Sequence, residues 1–183
     1  VHFTPANLSS KLHRSIEASF TQNMLQAIFS DEERFVVHPP LSGGAAMADE
    51  GAANHTRLCE SFTGKGLHLF VHGCSSMDAS LPQPRKFPAR QTRESFEAIA
   101  RIHGISEEQQ VHLQQSPAAI DAGVFHNDVI AVGHQDTFLV HEDAYLHQRD
   151  SINRLKEAYS GLTGKELRLI HVRREELSLN EAV

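Results

Sequence analysis

Phe125 to Val132 read FHNDVIAV, a histidine and an aspartate two residues apart set immediately before a short apolar run. Val129, Ile130, Ala131 and Val132 predict a buried strand, because β-branched side chains suit a sheet packed on both faces. Residues two apart on a strand share a face, so His126 and Asp128 are expected at the mouth of one cavity with Asn127 turned away. Such a pair can hold a cation through the carboxylate while the imidazole moves a proton. It can equally be a satisfied histidine and a capping aspartate at a strand end.

Working outward, strands and helices alternate. On the N-terminal side, Ser116-Pro117 predicts an N-cap and a first helical position, and Val111–Gln115 predicts a strand. Thr92–His103 is an amphipathic helix with Phe96, Ile99, Ala100 and His103 on one stripe, stopped by Gly104. Leu67–His72 alternates with period two, Leu67, Leu69 and Val71 on one face and His68, Phe70 and His72 on the other. Nearer the start, Val1–Asn7 reads as a strand running into a loop. Thr21–Phe29 reads as a helix with Met24, Leu25, Ile28 and Phe29 as its apolar stripe and Thr21 as N-cap, and Phe35–His38 as a short strand closed by two prolines. On the C-terminal side follow a partner strand at Thr137–Val140, a helix at Ser151–Leu162 and a strand at Glu166–Val172. This alternation means an α/β fold. No sequence repeat is visible.

The 183 residues, 40% of them hydrophobic, suffice for one large domain or two small ones. A net charge of −6 argues against a nucleic-acid partner, which would need clustered Lys and Arg. No apolar run is long enough for a membrane helix, and no secretory signal is visible. Two cysteines, Cys59 and Cys74, are too few for a disulfide framework, which makes the cytoplasm the expected location. The chain reads as a central piece of a single domain cut at both ends.

Leu41–Arg57 (LSGGAAMADEGAANHTR) is small-residue-rich yet carries Asp49, Glu50, Asn54, His55 and Arg57 close together. Such a loop lets backbone approach a ligand closely and leaves acids available to bind it, although a solvated surface loop has the same composition. Arg14, next to His13, and Arg90, where a proline-bearing loop turns into a helix, offer planar forks of donors suited to carboxylates. Thirteen histidines invite a metal reading, with many of them expected at the surface, but no HExxH, CxxC or other ligand spacing supports it. No GxSxG, P-loop or GxGxxG is present.

Taken together, ANLSSKLHRS, DEGAANHTR, FPARQTRE and IDAGVFHNDVIAV resemble the N-succinylarginine dihydrolase family of the guanidine-modifying (pentein) superfamily, over essentially the whole chain. The resemblance implies a partial pentein-type α/β propeller built from ββαβ modules. It implies hydrolysis of N2-succinyl-L-arginine to succinylornithine, two ammonia and carbon dioxide, with no cofactor or metal, a small-molecule substrate, no nucleic acid or membrane, and a homodimer. By motif, Glu50 and His126 match the family's catalytic acid and histidine. Asp128 matches a substrate-binding aspartate, and His13, Arg14 and Arg90 match substrate-binding positions. The family's nucleophilic cysteine belongs to a Gly-rich segment that lies beyond this chain, and Cys59 and Cys74 stand in other contexts. The alternatives are a non-catalytic piece that binds guanidino ligands and a histidine-rich metal protein.

Overall fold

Alternating burial and well-placed breakers divide the chain into short strands joined by helices. The computed structural model describes residues 1–183. Its strands and helices run β1 (His2–Phe3), α1 (Leu12–Ser15), α2 (Ala18–Ile28), β2 (Val36–Val37), β3 (His55–Cys59), β4 (Gly66–His72), α3 (Arg93–Ile102), β5 (Gln110–Gln114), α4 (Pro117–Ala122), β6 (Ala131–His134), β7 (Thr137–His141), α5 (Gln148–Thr163) and β8 (Arg168–Val172). They form a mixed α/β structure with three small sheets and no closed barrel.

Two of the sheets repeat one plan. β3 pairs antiparallel with β4, and β4 pairs parallel with β5 through the α3 crossover. β6, β7 and β8 do the same around α5. A parallel neighbour cannot be reached by a tight turn, so each unit needs its helix. β1 and β2 pair in parallel on either side of α1 and α2, which is the last part of the same plan.

β4 lies at the centre. Leu67, Leu69 and Val71 on one face join an 18-residue core with Val111, Leu113, Phe138, Leu155 and Tyr159. On the other face Phe70 packs against Phe96, their rings 4.9 Å apart, and against Ile99 and Ala100 of α3. The expected α3 stripe is thus the packing face, its first turn capped by the Thr92 hydroxyl accepting from the Ser95 N–H. Gly104, at φ +67, closes it in the left-handed conformation a glycine favours. α5 rests on β4 and β5, so the second unit's helix covers the first unit's sheet.

The structure corrects several expectations. His126 and Asp128 do not share a strand face. Asn127–Val129 is a 3-10 turn and β6 begins only at Ala131. Its buried polar residue is Asn127, whose N–H donates to Asn54 Oδ1 at 2.8 Å, and this junction bond competes with any extension of the strand. Val129 and Val132 are exposed rather than buried. β3, which emerges from the small-residue loop, had no clear sequence signal. In α2 the Phe29 ring stacks on Phe3 at 4.4 Å, while Met24 and Ile28 face outward, and Thr21 lies inside the helix rather than at its cap.

Of the histidines, His72 and His141 are buried and several others are half-buried rather than superficial. His103, just after α3, stacks on His38 and lies tilted against His2, and His55 bonds His68 at 2.9 Å, along the seam between β1–β2 and the first full unit. Burial holds His55 down to about 3 and His103 down to about 4, so both rings are neutral at pH 7.

The two units pack closely at Gly133 of β6. A Cβ there would lie 2.5 Å from Thr56 Cγ2 and 2.7 Å from Leu58 Cδ2 of β3. Gly133→Ala is therefore expected to destabilise the protein by about 1–3 kcal/mol through overpacking alone, measurable as a lowered melting temperature. An unchanged melting temperature would mean that the two strands are not in close contact.

Candidate functional site

Glu50 and His126 occupy corresponding places. Each lies five residues ahead of the first strand of its unit, and each immediately precedes a 3-10 turn, Gly51–Asn54 for Glu50 and Asn127–Val129 for His126. The equivalent unit junctions carry the two side chains to the same end of the sheets.

The Glu50 loop has few large apolar side chains, and polar contacts hold it. Asn7 Nδ2 donates to the Met47 carbonyl at 2.6 Å, and Asn7 Oδ1 accepts from the Asp49 N–H at 3.1 Å. From the α3 side, Thr92 and Ser95 hydroxyls donate to the Ala46 and Ala48 carbonyls. Gln91 Oε1 accepts from the Glu50 N–H at 2.7 Å while its Nε2 donates to Ser95 Oγ. Gly51, at φ +74, lets the chain turn at once after Glu50, its N–H donating to Asp49 Oδ1.

The Glu50 side chain is fully buried and takes three donors. Ser10 Oγ donates to Oε1 at 2.5 Å, Arg14 Nη1 donates to Oε2 at 2.7 Å, and His126 Nε2 lies 2.9 Å from Oε2. Burial pushes the carboxyl up, but the hydrogen bonds from His126, Ser10 and Arg14 outweigh it and hold Glu50 down at about 2. Glu50 is therefore a carboxylate at every physiological pH. Its neighbour Asp49 is also buried, leaves Oδ2 without a partner and is pushed up by that burial. An ionised carboxylate on an imidazole nitrogen orients the ring, which suits proton transfer.

Arg90 approaches from the loop before α3. Its guanidinium carbon lies 4.0 Å from the centroid of the Phe125 ring, and its side chain makes no ion pair or hydrogen bond within the chain. Beside it opens a recess of about 270 Å³ lined by Ser10, Lys11, Ala48, Cys74, Arg90 and Thr92. Of the other expected site residues, His13 lies exposed on α1, and Asp128 lies exposed in the turn after His126, neither with a partner in the chain. Glu50, His126, Arg14 and Arg90 thus gather around the two junctions, while His13 and Asp128 stand at the rim of their own segments.

Neither cysteine resembles an activated thiolate. Cys59 is buried in β3. Cys74 lines the recess, but burial, and then the charge of Glu94, push its thiol up. Sequence reasoning passed over Ser10, Gln91 and Phe125. The only available signals were the four-residue spacing of Ser10 and Arg14 and the adjacency of Gln91 to Arg90 and of Phe125 to His126.

The whole chain, residues 1–183, matches the succinylarginine dihydrolase family. It is 50% identical over all of its residues to the N-succinylarginine dihydrolase of Pseudomonas savastanoi pv. phaseolicola, covering 41% of that protein. The N-succinylarginine dihydrolases of Marinobacter nauticus and Burkholderia thailandensis are each 50% identical over the same span, with 40% and 41% of their lengths covered. The chain thus spans about two-fifths of the length of these relatives.

The depressed ionisation of Glu50 gives a pH-dependent test. Folded, it titrates at about 2 against an ordinary 4.5, so the stability from its ionised form is complete above pH 4.5 and lost as pH falls through 2. Glu50→Gln is expected to lower the unfolding free energy at neutral pH by about 3 kcal/mol. In urea denaturation that deficit should shrink steadily as pH falls from 4.5 toward 2. A deficit independent of pH would mean that Glu50 is not held ionised by its donors.

Proposed function

The chain belongs to the succinylarginine dihydrolase family, and from this we propose that it is part of an enzyme hydrolysing the guanidinium group of N2-succinyl-L-arginine in arginine catabolism. The observation that carries the reading is the buried Glu50 carboxylate shared by Arg14 and His126. It supports Glu50, the match to the family's catalytic acid, as the carboxylate that keeps the histidine oriented and His126 as the proton carrier.

In the proposed cycle a thiolate supplied by the longer chain attacks the central guanidinium carbon. His126 delivers a proton to the departing nitrogen, ammonia leaves and an amidino-thioether remains. Water, deprotonated by His126, then adds to the same carbon and displaces the thiolate. A second round removes the other terminal nitrogen and leaves a carbamate on the ornithine nitrogen. Its C–N bond breaks with loss of carbon dioxide, so two water molecules in all yield succinylornithine, two ammonia and carbon dioxide. Asp128, exposed two residues beyond His126, is the proposed partner of the guanidinium through charge-assisted hydrogen bonds. The succinyl and α-carboxylates fall to Arg90 and Arg14, with His13 at the edge of the site.

The same reading assigns the chain to a pentein-type propeller. Its support is the repeated ββαβ plan and the way α5 packs on the preceding sheet. In such a propeller the exposed stripe of Ile16, Phe20, Met24 and Ile28 beside and along α2 would face the module before it. A cytoplasmic homodimer completes the proposal, the location resting on the low cysteine count and the dimer on the resemblance alone. No helix is long and apolar enough to cross a membrane.

The full-length protein is expected to release two ammonia per succinylornithine formed and to turn over free arginine poorly, since free arginine lacks the succinyl carboxylate. The 183-residue chain by itself is expected to release none. Ammonia production by the short chain that survives combined Cys59→Ser and Cys74→Ser substitution would show that the nucleophile is misassigned.

A further inference from the structure

The two arginines of the site are in different electrostatic states. Arg14 already spends a donor on the Glu50 carboxylate. Arg90 has no anionic partner, and its guanidinium carbon lies over the face of Phe125, 4.0 Å from the ring centroid. A guanidinium over a ring is attracted by the negative π face while its N–H groups, which point along its own plane, stay free. The platform is itself fixed, because Phe87 meets Phe125 edge-on with centroids 5.2 Å apart and planes at 81°.

We propose that Phe125 is a positioning residue for substrate specificity, its ring holding the Arg90 guanidinium so that the free donor fork receives a substrate carboxylate. This rests on the proposed activity and extends it. The connectivity explains why the platform belongs to the site. Phe125 precedes His126, which bonds Glu50, and Arg90 precedes Gln91, whose side chain accepts the Glu50 N–H. Three neighbouring pairs, Asp49–Glu50, Arg90–Gln91 and Phe125–His126, therefore close a triangle through two hydrogen bonds and one ring contact. The triangle fixes the distance between the carboxylate clamp and the proton-transfer pair, which a bound succinylarginine must span. Holding the fork in place before binding spares the ordering of a long side chain on binding.

The test uses the full-length protein. Phe125→Leu keeps an apolar side chain but removes the ring face, so KM for succinylarginine should rise about three- to thirtyfold with kcat within about twofold. Phe125→Tyr keeps the face and should restore the wild-type KM. In an Arg90→Ala background, adding Phe125→Leu should raise KM no further, because the platform has nothing left to hold. A wild-type KM in Phe125→Leu, or a loss confined to kcat, would overturn the assignment, as would a further KM rise in the double variant equal to that of the single one. If Phe125→Leu loses its melting transition, Phe125→Met takes its place with the same expected KM rise. Titration with succinate, which carries two carboxylates and no guanidinium, separates this inference from the activity itself. Should the wild-type protein leave succinylarginine intact, the proposed activity fails. The platform then stands if Phe125→Leu weakens succinate binding and falls if it does not, or if the wild type binds none.

Discussion

A carboxylate with no solvent contact is tolerable only if its charge is met, and Glu50 meets it with Ser10, Arg14 and His126. These donors come from the segment around α1 and from the junction ahead of β6, which are far apart in the chain. The ion pair and hydrogen bonds therefore exist only when the incomplete first unit and both full ββαβ units are in place. Removing one partner from such a buried charge costs about 3–5 kcal/mol, comparable to much of the stability of an ordinary domain. The site and the fold are in this sense one structure, and the polar lacing of residues 42–49 by Asn7, Thr92 and Ser95 serves to present Glu50.

The repeated plan accounts for where the chemistry lies. Each unit begins after a 3-10 turn, and the residue before that turn projects toward the common site, glutamate in one unit and histidine in the next. One backbone geometry, used twice, brings a carboxylate and an imidazole to one place. Close approach of β3 and β6 at Gly133 keeps the two junctions near each other. The arginines lie elsewhere in the frame, Arg14 paired with Glu50 and Arg90 stacked on Phe125.

Much of the fold could be read from the sequence because periodicity and capping act locally. The β4 alternation, the α3 stripe with Thr92 and Gly104 at its ends, and α5 with Ile152, Leu155 and Tyr159 turned inward all follow such local rules. The turn at Asn127–Val129 was not legible, since it depends on a bond to Asn54, more than seventy residues earlier. The ββαβ repeat was legible only through the family resemblance, because it is a property of strand pairing and leaves no recurring residues. The motifs pointed to Glu50, His126, Arg14 and Arg90, whereas Ser10, Gln91 and Phe125 act through contacts that no short motif records. His126 and Asp128 show the limit most plainly: a period-two spacing suggested one shared face, and a long-range contact separated them.

The central claim is that the Glu50 carboxylate holds His126 as the group that moves protons during guanidinium hydrolysis. The most direct measurement is single-turnover mass spectrometry of full-length His126→Ala with succinylarginine, alongside equilibrium substrate binding. The account predicts near-wild-type binding and no succinylornithine. Product formation at the wild-type rate in that variant would contradict it.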